Sequence, residues 1–148
     1  LRLSLAGGEP LLYDREIVRI ASQAREIGFK VSIITNGSRL TRPLMAELAP
    51  QLSVLGLSLD SAAPSINREI GRVDRHSRVL SLDELAPIVQ FGRALNPALC
   101  LKINTVVNAL NCDDDMSQLI WILAPDKWKV LRMLPTVVST SSFSRPCW

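Results

Sequence analysis

Short apolar runs that end in glycine or a polar turn alternate with segments of helical period along most of this chain. Strands alternating with helices fold as α/β units around a parallel sheet. Residues 2–6 form the first such run, which stops at the pair Gly7-Gly8. A helix is expected over about 14–27, because Ile17, Ile20, Ala21, Ala24 and Ile27 recur at helical spacing and Gly28 follows as a stop. Residues 30–35 are rich in β-branched side chains and read as a second strand, closed by an Asn36-Gly37 turn. Thr41 is placed to cap a short helix carrying Leu44, Met45 and Leu48, with Pro43 in its first turn, where a missing N–H costs little. Third, fourth and fifth strands are expected at 53–59, 99–104 and 127–133. The polar, arginine-rich stretch 61–80 reads as a loop with about one helical turn. Ser81-Leu82-Asp83-Glu84 fits a capping box. Pro87 then predicts either a kinked first turn or a helix that starts near the proline itself. Asp113 to Asp115 put negative charge ahead of a last helix whose apolar face is Met116, Leu119, Ile120 and Leu123. Trp121 and Trp128 are expected in the core. Right-handed crossovers make the sheet parallel, so five strands form an open sheet or part of a barrel.

Alternate side chains of a strand face opposite ways. Leu3 and Leu5 share one face, opposite Arg2, Ser4 and Ala6. Leu55, Leu57 and Leu59 oppose Gly56, Ser58 and Asp60, and Leu101 and Ile103 oppose Lys102 and Asn104. A filled barrel interior would be bulky and branched. Polar groups buried without partners cost about 1–3 kcal/mol each. Parallel sheets are generally covered on both faces. The polar face is therefore expected to line a wet or ligand-filled lumen.

The 148 residues suit one domain, and 47% hydrophobic with 21% charged residues is a globular balance. Residues 1–135 are read as the domain, and 136–148, Ser/Thr-rich and without period, as a disordered tail. The net charge of +3 is too mild to argue for nucleic acid but does not oppose an anionic ligand. No apolar run is long enough for a membrane span. Cys100, Cys112 and Cys147 match no zinc or iron–sulfur spacing, so no residue is read as a metal ligand. An odd cysteine count without a basic-then-apolar leader is the usage of a cytoplasmic protein. His76, between charged neighbours, is read as solvated. The chain opens at Leu1 inside an apolar run, which reads as a cut N-terminus.

Gly7-Gly8-Glu9-Pro10 lies at the C-terminal end of a strand, where α/β folds place their sites. Two glycines let backbone approach a ligand closely, and Glu9 can accept hydrogen bonds from an ammonium group. The loop resembles the GGE motif of radical S-adenosylmethionine enzymes. Ile34-Thr35-Asn36-Gly37-Ser38, Leu57-Ser58-Leu59-Asp60-Ser61, Ile70-Gly71-Arg72, Leu101-Lys102-Ile103-Asn104 with Val106-Val107-Asn108, and Trp128-Lys129-Val130 resemble, in order, segments of the viperin family, the antiviral members of that superfamily. The resemblance covers about residues 1–134.

It implies a partial (β/α)6 barrel whose first βα unit, with a CxxxCxxC loop for a 4Fe-4S cluster, is missing here. It implies S-adenosyl-L-methionine as cofactor, held at its amino end by Gly7, Gly8 and Glu9 and at its carboxylate by Ser58 and Arg72. A nucleoside triphosphate, CTP or UTP, would meet Arg2, Ala6, Lys102, Asn104 and Lys129. A reductase or other donor would supply the electron, and no catalytic side chain is assigned. In the family, cofactor cleavage gives a 5′-deoxyadenosyl radical, and the nucleotide becomes its 3′-deoxy-3′,4′-didehydro analogue. The membrane-targeting helix of animal members would lie upstream of Leu1. Arg2 stands where Lys is common, Ala6 where animal members have Ser, and Val73 where Gly is usual. Two other readings remain open: a nucleotide- or S-adenosylmethionine-binding module without catalysis, and a radical S-adenosylmethionine branch with another substrate.

Overall fold

A computed structural model describes residues 1–71 and 81–133. The strands are β1 (Arg2–Leu5), β2 (Lys30–Thr35), β3 (Leu52–Ser58), β4 (Cys100–Val107) and β5 (Lys127–Arg132), and the helices are α1 (Asp14–Glu26), α2 (Arg42–Leu48), α3 (Pro64–Glu69), α4 (Leu82–Leu95) and α5 (Ser117–Leu123). One sheet holds the strands in the order β1-β2-β3-β4-β5, with every neighbouring pair parallel. Each new strand is thus added to the same edge, the arrangement of a partial βα barrel.

Local chemistry explains the elements. Asp14 and Glu16 put negative charge in the first turn of α1, and beyond its C-terminus Gly28 adopts φ 89°, the left-handed value glycine favours. The Thr41 hydroxyl accepts the Leu44 N–H at 3.3 Å and caps α2. Both halves of the Ser81–Glu84 capping box are present, so α4 begins at Leu82 and runs unbroken through Pro87. This rules out a helix that starts near the proline. Proline lacks only its own N–H, so a single intrahelical bond is lost, and the ring of Pro87 faces solvent. The expected loop after β3 includes α3 within its described part. A 3₁₀ turn at Pro10–Tyr13, not foreseen, precedes α1.

The two sheet faces differ as the alternation of side chains requires. Val31, Ile33, Leu55, Leu57, Leu101 and Ile103 are buried against Ile17, Ala21, Met45, Leu48, Val89 and Leu119 of the helices. The opposite face carries Arg2, Ser4, Ser58, Lys102 and Asn104, none of them fully buried. The tryptophans depart from expectation: Trp121 is 85% exposed and Trp128 46%. α5 turns Leu119 and Leu123 inward, which leaves Trp121 outside, and Trp128 lies on the edge strand. The segment 136–148 and His76 lie outside the described residues.

Candidate functional site

The strand ends bring three groups of side chains into relation. At the end of β1, Ala6 is exposed, and Gly7 and Gly8 adopt φ 103° and 54°. Among the described residues, no heavy atom beyond the adjoining residues lies within 4 Å of a Cβ built on either glycine. Their backbone is therefore open on the side a ligand would approach, in a conformation that side chains rarely tolerate. Glu9 returns to extended backbone. Its Oε1 accepts the Thr35 hydroxyl at 2.6 Å and the Leu11 N–H at 3.0 Å, and its Oε2 accepts the Asn36 N–H at 2.8 Å. The loop after β1 is thereby fastened to the end of β2.

The second group runs across the polar face. Ser58 pairs in register with Asn104, and Asn104 with Lys129, so the three share a face in one cross-strand row. The next row holds Gly56, Lys102 and Lys127. Lys102 is half-buried, and Lys127 and Lys129 are exposed on the edge strand. Gly56 leaves a side chain little room, since a Cβ there would meet Ile34 Cγ1 at 3.1 Å and the Ile33 carbonyl at 3.2 Å.

A third group joins the loops beyond β3 and β4. Buried Asp60 accepts the Val106 N–H at 2.7 Å. The Asn111 amide donates to the Asp60 carbonyl at 2.7 Å and to that of Val106 at 3.0 Å. Asp114 accepts the Ala62 N–H at 2.9 Å and also the Ser61 hydroxyl. The loops that rim this end of the sheet are thus cross-tied in pairs.

Ser58, Lys102, Asn104 and Lys129 are brought together, and Gly7, Gly8 and Glu9 stand at the same sheet's C-terminal rim. Arg2 is not in that group: it opens β1, pairs with Lys30, and lies at the strand's N-terminal end. Arg72 lies outside the described residues. Thr35, Asp60 and Lys127 were not singled out from sequence. Lys127 carried a signal, because it shares the parity of Lys129 on one strand, whereas the partner of Thr35 is 26 positions away and only strand pairing shows it.

The Radical SAM superfamily model matches residues 2–87, and the chain belongs to that superfamily. Within it, the sequence likeness runs to viperin-like proteins. The S-adenosylmethionine-dependent nucleotide dehydratase of Pseudoalteromonas ulvae is 43% identical over 135 residues, covering 91% of this chain and 44% of that protein. The protein of the same name from Psychrobacter lutiphocae is 37% identical over 150 residues, covering 98% of this chain and 50% of that one. Streptococcus suis SuiB bound to S-adenosylmethionine shares the fold, with a TM-score of 0.67 at 18% identity over 97% of this chain and 32% of that one. The chain spans about half the length of the curated relatives it matches.

S-adenosylmethionine is the cofactor of this superfamily, and the open glycine backbone beside Glu9 fits the amino-acid end of such a molecule. An iron–sulfur cluster does not fit the described residues, among which no group of three His, Cys, Asp or Glu is placed to hold a metal. No helix among them is long and apolar enough to cross a membrane.

Proposed function

We propose that this chain is the cofactor- and nucleotide-binding part of a viperin-type radical S-adenosylmethionine enzyme. The whole enzyme would convert a nucleoside triphosphate, CTP or UTP, to its 3′-deoxy-3′,4′-didehydro analogue in antiviral defence. A single observation carries the reading: the open Gly7-Gly8 loop stands at the rim of the same sheet whose polar face aligns Ser58, Asn104 and Lys129, with Lys102 in the adjoining row. Gly7, Gly8 and Glu9 receive the methionine amino end, and Ser58 with Arg72 its carboxylate. Lys102 and Lys129 meet the triphosphate, as charge-assisted contacts to phosphate require, and Asn104 orients the nucleotide. Ala6 lines the approach beside Gly7. Arg2, on the far strand, would join them only through curvature of the sheet. The cluster ligands and the contact with an electron donor belong to other parts of the enzyme, which acts in the cytoplasm or at a membrane surface. Residues 1–135 make up the domain.

Calorimetry with CTP and UTP tests the nucleotide assignment. Lys102→Ala with Lys129→Ala is expected to weaken binding by at least about 100-fold, at about 1.5–3 kcal/mol for each of two hydrogen bonds to a charged group. An unchanged affinity would remove the triphosphate from this face. The second reading is a nucleotide- or S-adenosylmethionine-binding module without catalysis. It predicts the same binding but no cofactor cleavage when the upstream segment of the gene is restored.

A further inference from the structure

The two oxygens of Glu9 are nearly used up by the protein itself. A carboxylate has about four acceptor positions. Three are taken, by the Thr35 hydroxyl, the Leu11 N–H and the Asn36 N–H. One remains, on Oε2. Thr35 is also engaged twice, because its Oγ1 accepts the Gly37 N–H at 3.0 Å while donating to Glu9. That bond orients the hydroxyl, since an oxygen that accepts from Gly37 is left to point its hydrogen at the carboxylate. Thr35 is 2% exposed and faces the helix-covered side, so its hydroxyl meets no ligand in the polar face. Gly7 and Gly8, by contrast, have no described residue beyond their chain neighbours within 4 Å of where a side chain would start. Two adjacent glycines have large conformational freedom. With no side-chain packing of their own, their placement depends on what anchors the residue after them.

We propose that Thr35 is a positioning residue for the cofactor: its hydroxyl holds the Glu9 carboxylate, and through it fixes the Gly7-Gly8 backbone in the conformation that receives the methionine end of S-adenosylmethionine. The inference rests on the function proposed above and assigns that site a support two strands away from the nucleotide-binding row. Thr35→Val keeps the shape and removes the hydroxyl. It removes one of the two ties from the Glu9 carboxylate to the end of β2, the Asn36 N–H remaining, and leaves Gly37 N–H without its acceptor. Lys102, Asn104 and Lys129 are on other strands and keep their geometry.

The test measures S-adenosylmethionine and CTP affinity in parallel by calorimetry on the 148-residue chain. Thr35→Val is expected to weaken S-adenosylmethionine by at least about tenfold, the cost of one unmade hydrogen bond to a charged group, and to leave CTP within about twofold, since sites on separate strands that share no partner act independently. Thr35→Ser, which keeps the hydroxyl, is expected to bind both as the wild type does. Equal loss of both ligands in Thr35→Val, unchanged S-adenosylmethionine affinity, or failure of Thr35→Ser to restore it would each overturn the proposal. If Thr35→Val does not fold, Thr35→Ala takes its place. It too removes the hydroxyl that holds Glu9, so the same selective loss is expected, and normal affinity overturns the brace. A wild-type chain that binds neither ligand defeats the functional reading itself, and the brace falls with it. Wild-type binding with an indifferent variant defeats the brace alone.

Discussion

Asp126 joins three elements at the end of the sheet opposite the glycine loop. Its Oδ2 accepts the Leu101 N–H of β4 at 2.7 Å and pairs with the Arg93 guanidinium of α4, also at 2.7 Å. Burial works to raise its pKa, but the Leu101 N–H and Arg93 together outweigh it and hold the carboxyl below its usual value. A depressed folded-state pKa gives stability that is present above the unfolded value of about 4 and lost as pH falls through the folded value. The side chain is 49% exposed, so solvent screening limits the contribution to about 1 kcal/mol or less. Asp126→Asn is therefore expected to lower stability slightly at pH 7 and to leave a flatter acid limb between about pH 5 and pH 2. Urea midpoints across that range would show it. Parallel acid limbs for variant and wild type would mean that another carboxyl governs the slope.

Helix α4 shows where reasoning by element succeeds and where it stops. Its start was legible, because a Ser with Glu three positions on names both ends of a capping box, and both bonds are made. Its passage through Pro87 was not, since the tertiary contacts that keep the helix continuous are absent from a local pattern. Leu85, Ala86 and Val89 are buried beside Pro87, and this packing outweighs one missing bond. Pro87→Ala is expected to stabilise the chain by about 2–2.6 kcal/mol. The full helix penalty of proline is about 3 kcal/mol, and the looser unfolded chain offsets about 0.4–1 kcal/mol of it. A higher urea midpoint at unchanged slope would confirm the gain, and a lower one would mean that the ring fills a contact the helix needs. The same limit explains Trp121. Hydrophobicity placed it in the core, but α5 turns Leu119 and Leu123 inward and leaves Trp121 exposed on another face. Strand faces were easier: period two fixes them without tertiary knowledge, so Lys102 and Asn104 could be set opposite Leu101 and Ile103 before any register was known.

Across the whole molecule the sheet divides its tasks by direction. One face holds the core, the other the polar row, and the C-terminal rim the cross-tied loops. Sulfur placement follows the same geometry and decides what the chain can do alone. A 4Fe-4S cluster of this superfamily's kind needs three thiolates together beside the cofactor loop. Cys100 opens β4, so it stands at the N-terminal end of the sheet, away from Gly7 and Gly8. Cys112 follows β4 and is the one cysteine at the rim among the described residues. Two positions that far apart along the sheet cannot share one cluster with the loop. The 148-residue chain is therefore expected to bind S-adenosylmethionine without cleaving it. After anaerobic incubation with iron and sulfide and then desalting, no iron–sulfur absorbance should persist, and dithionite should release no 5′-deoxyadenosine. Joining a CxxxCxxC segment ahead of Leu1 should restore both. Cluster absorbance and cofactor cleavage by the unextended chain would instead show that it assembles a cluster without that motif, and the assignment of cluster binding to another part of the enzyme would have to be withdrawn.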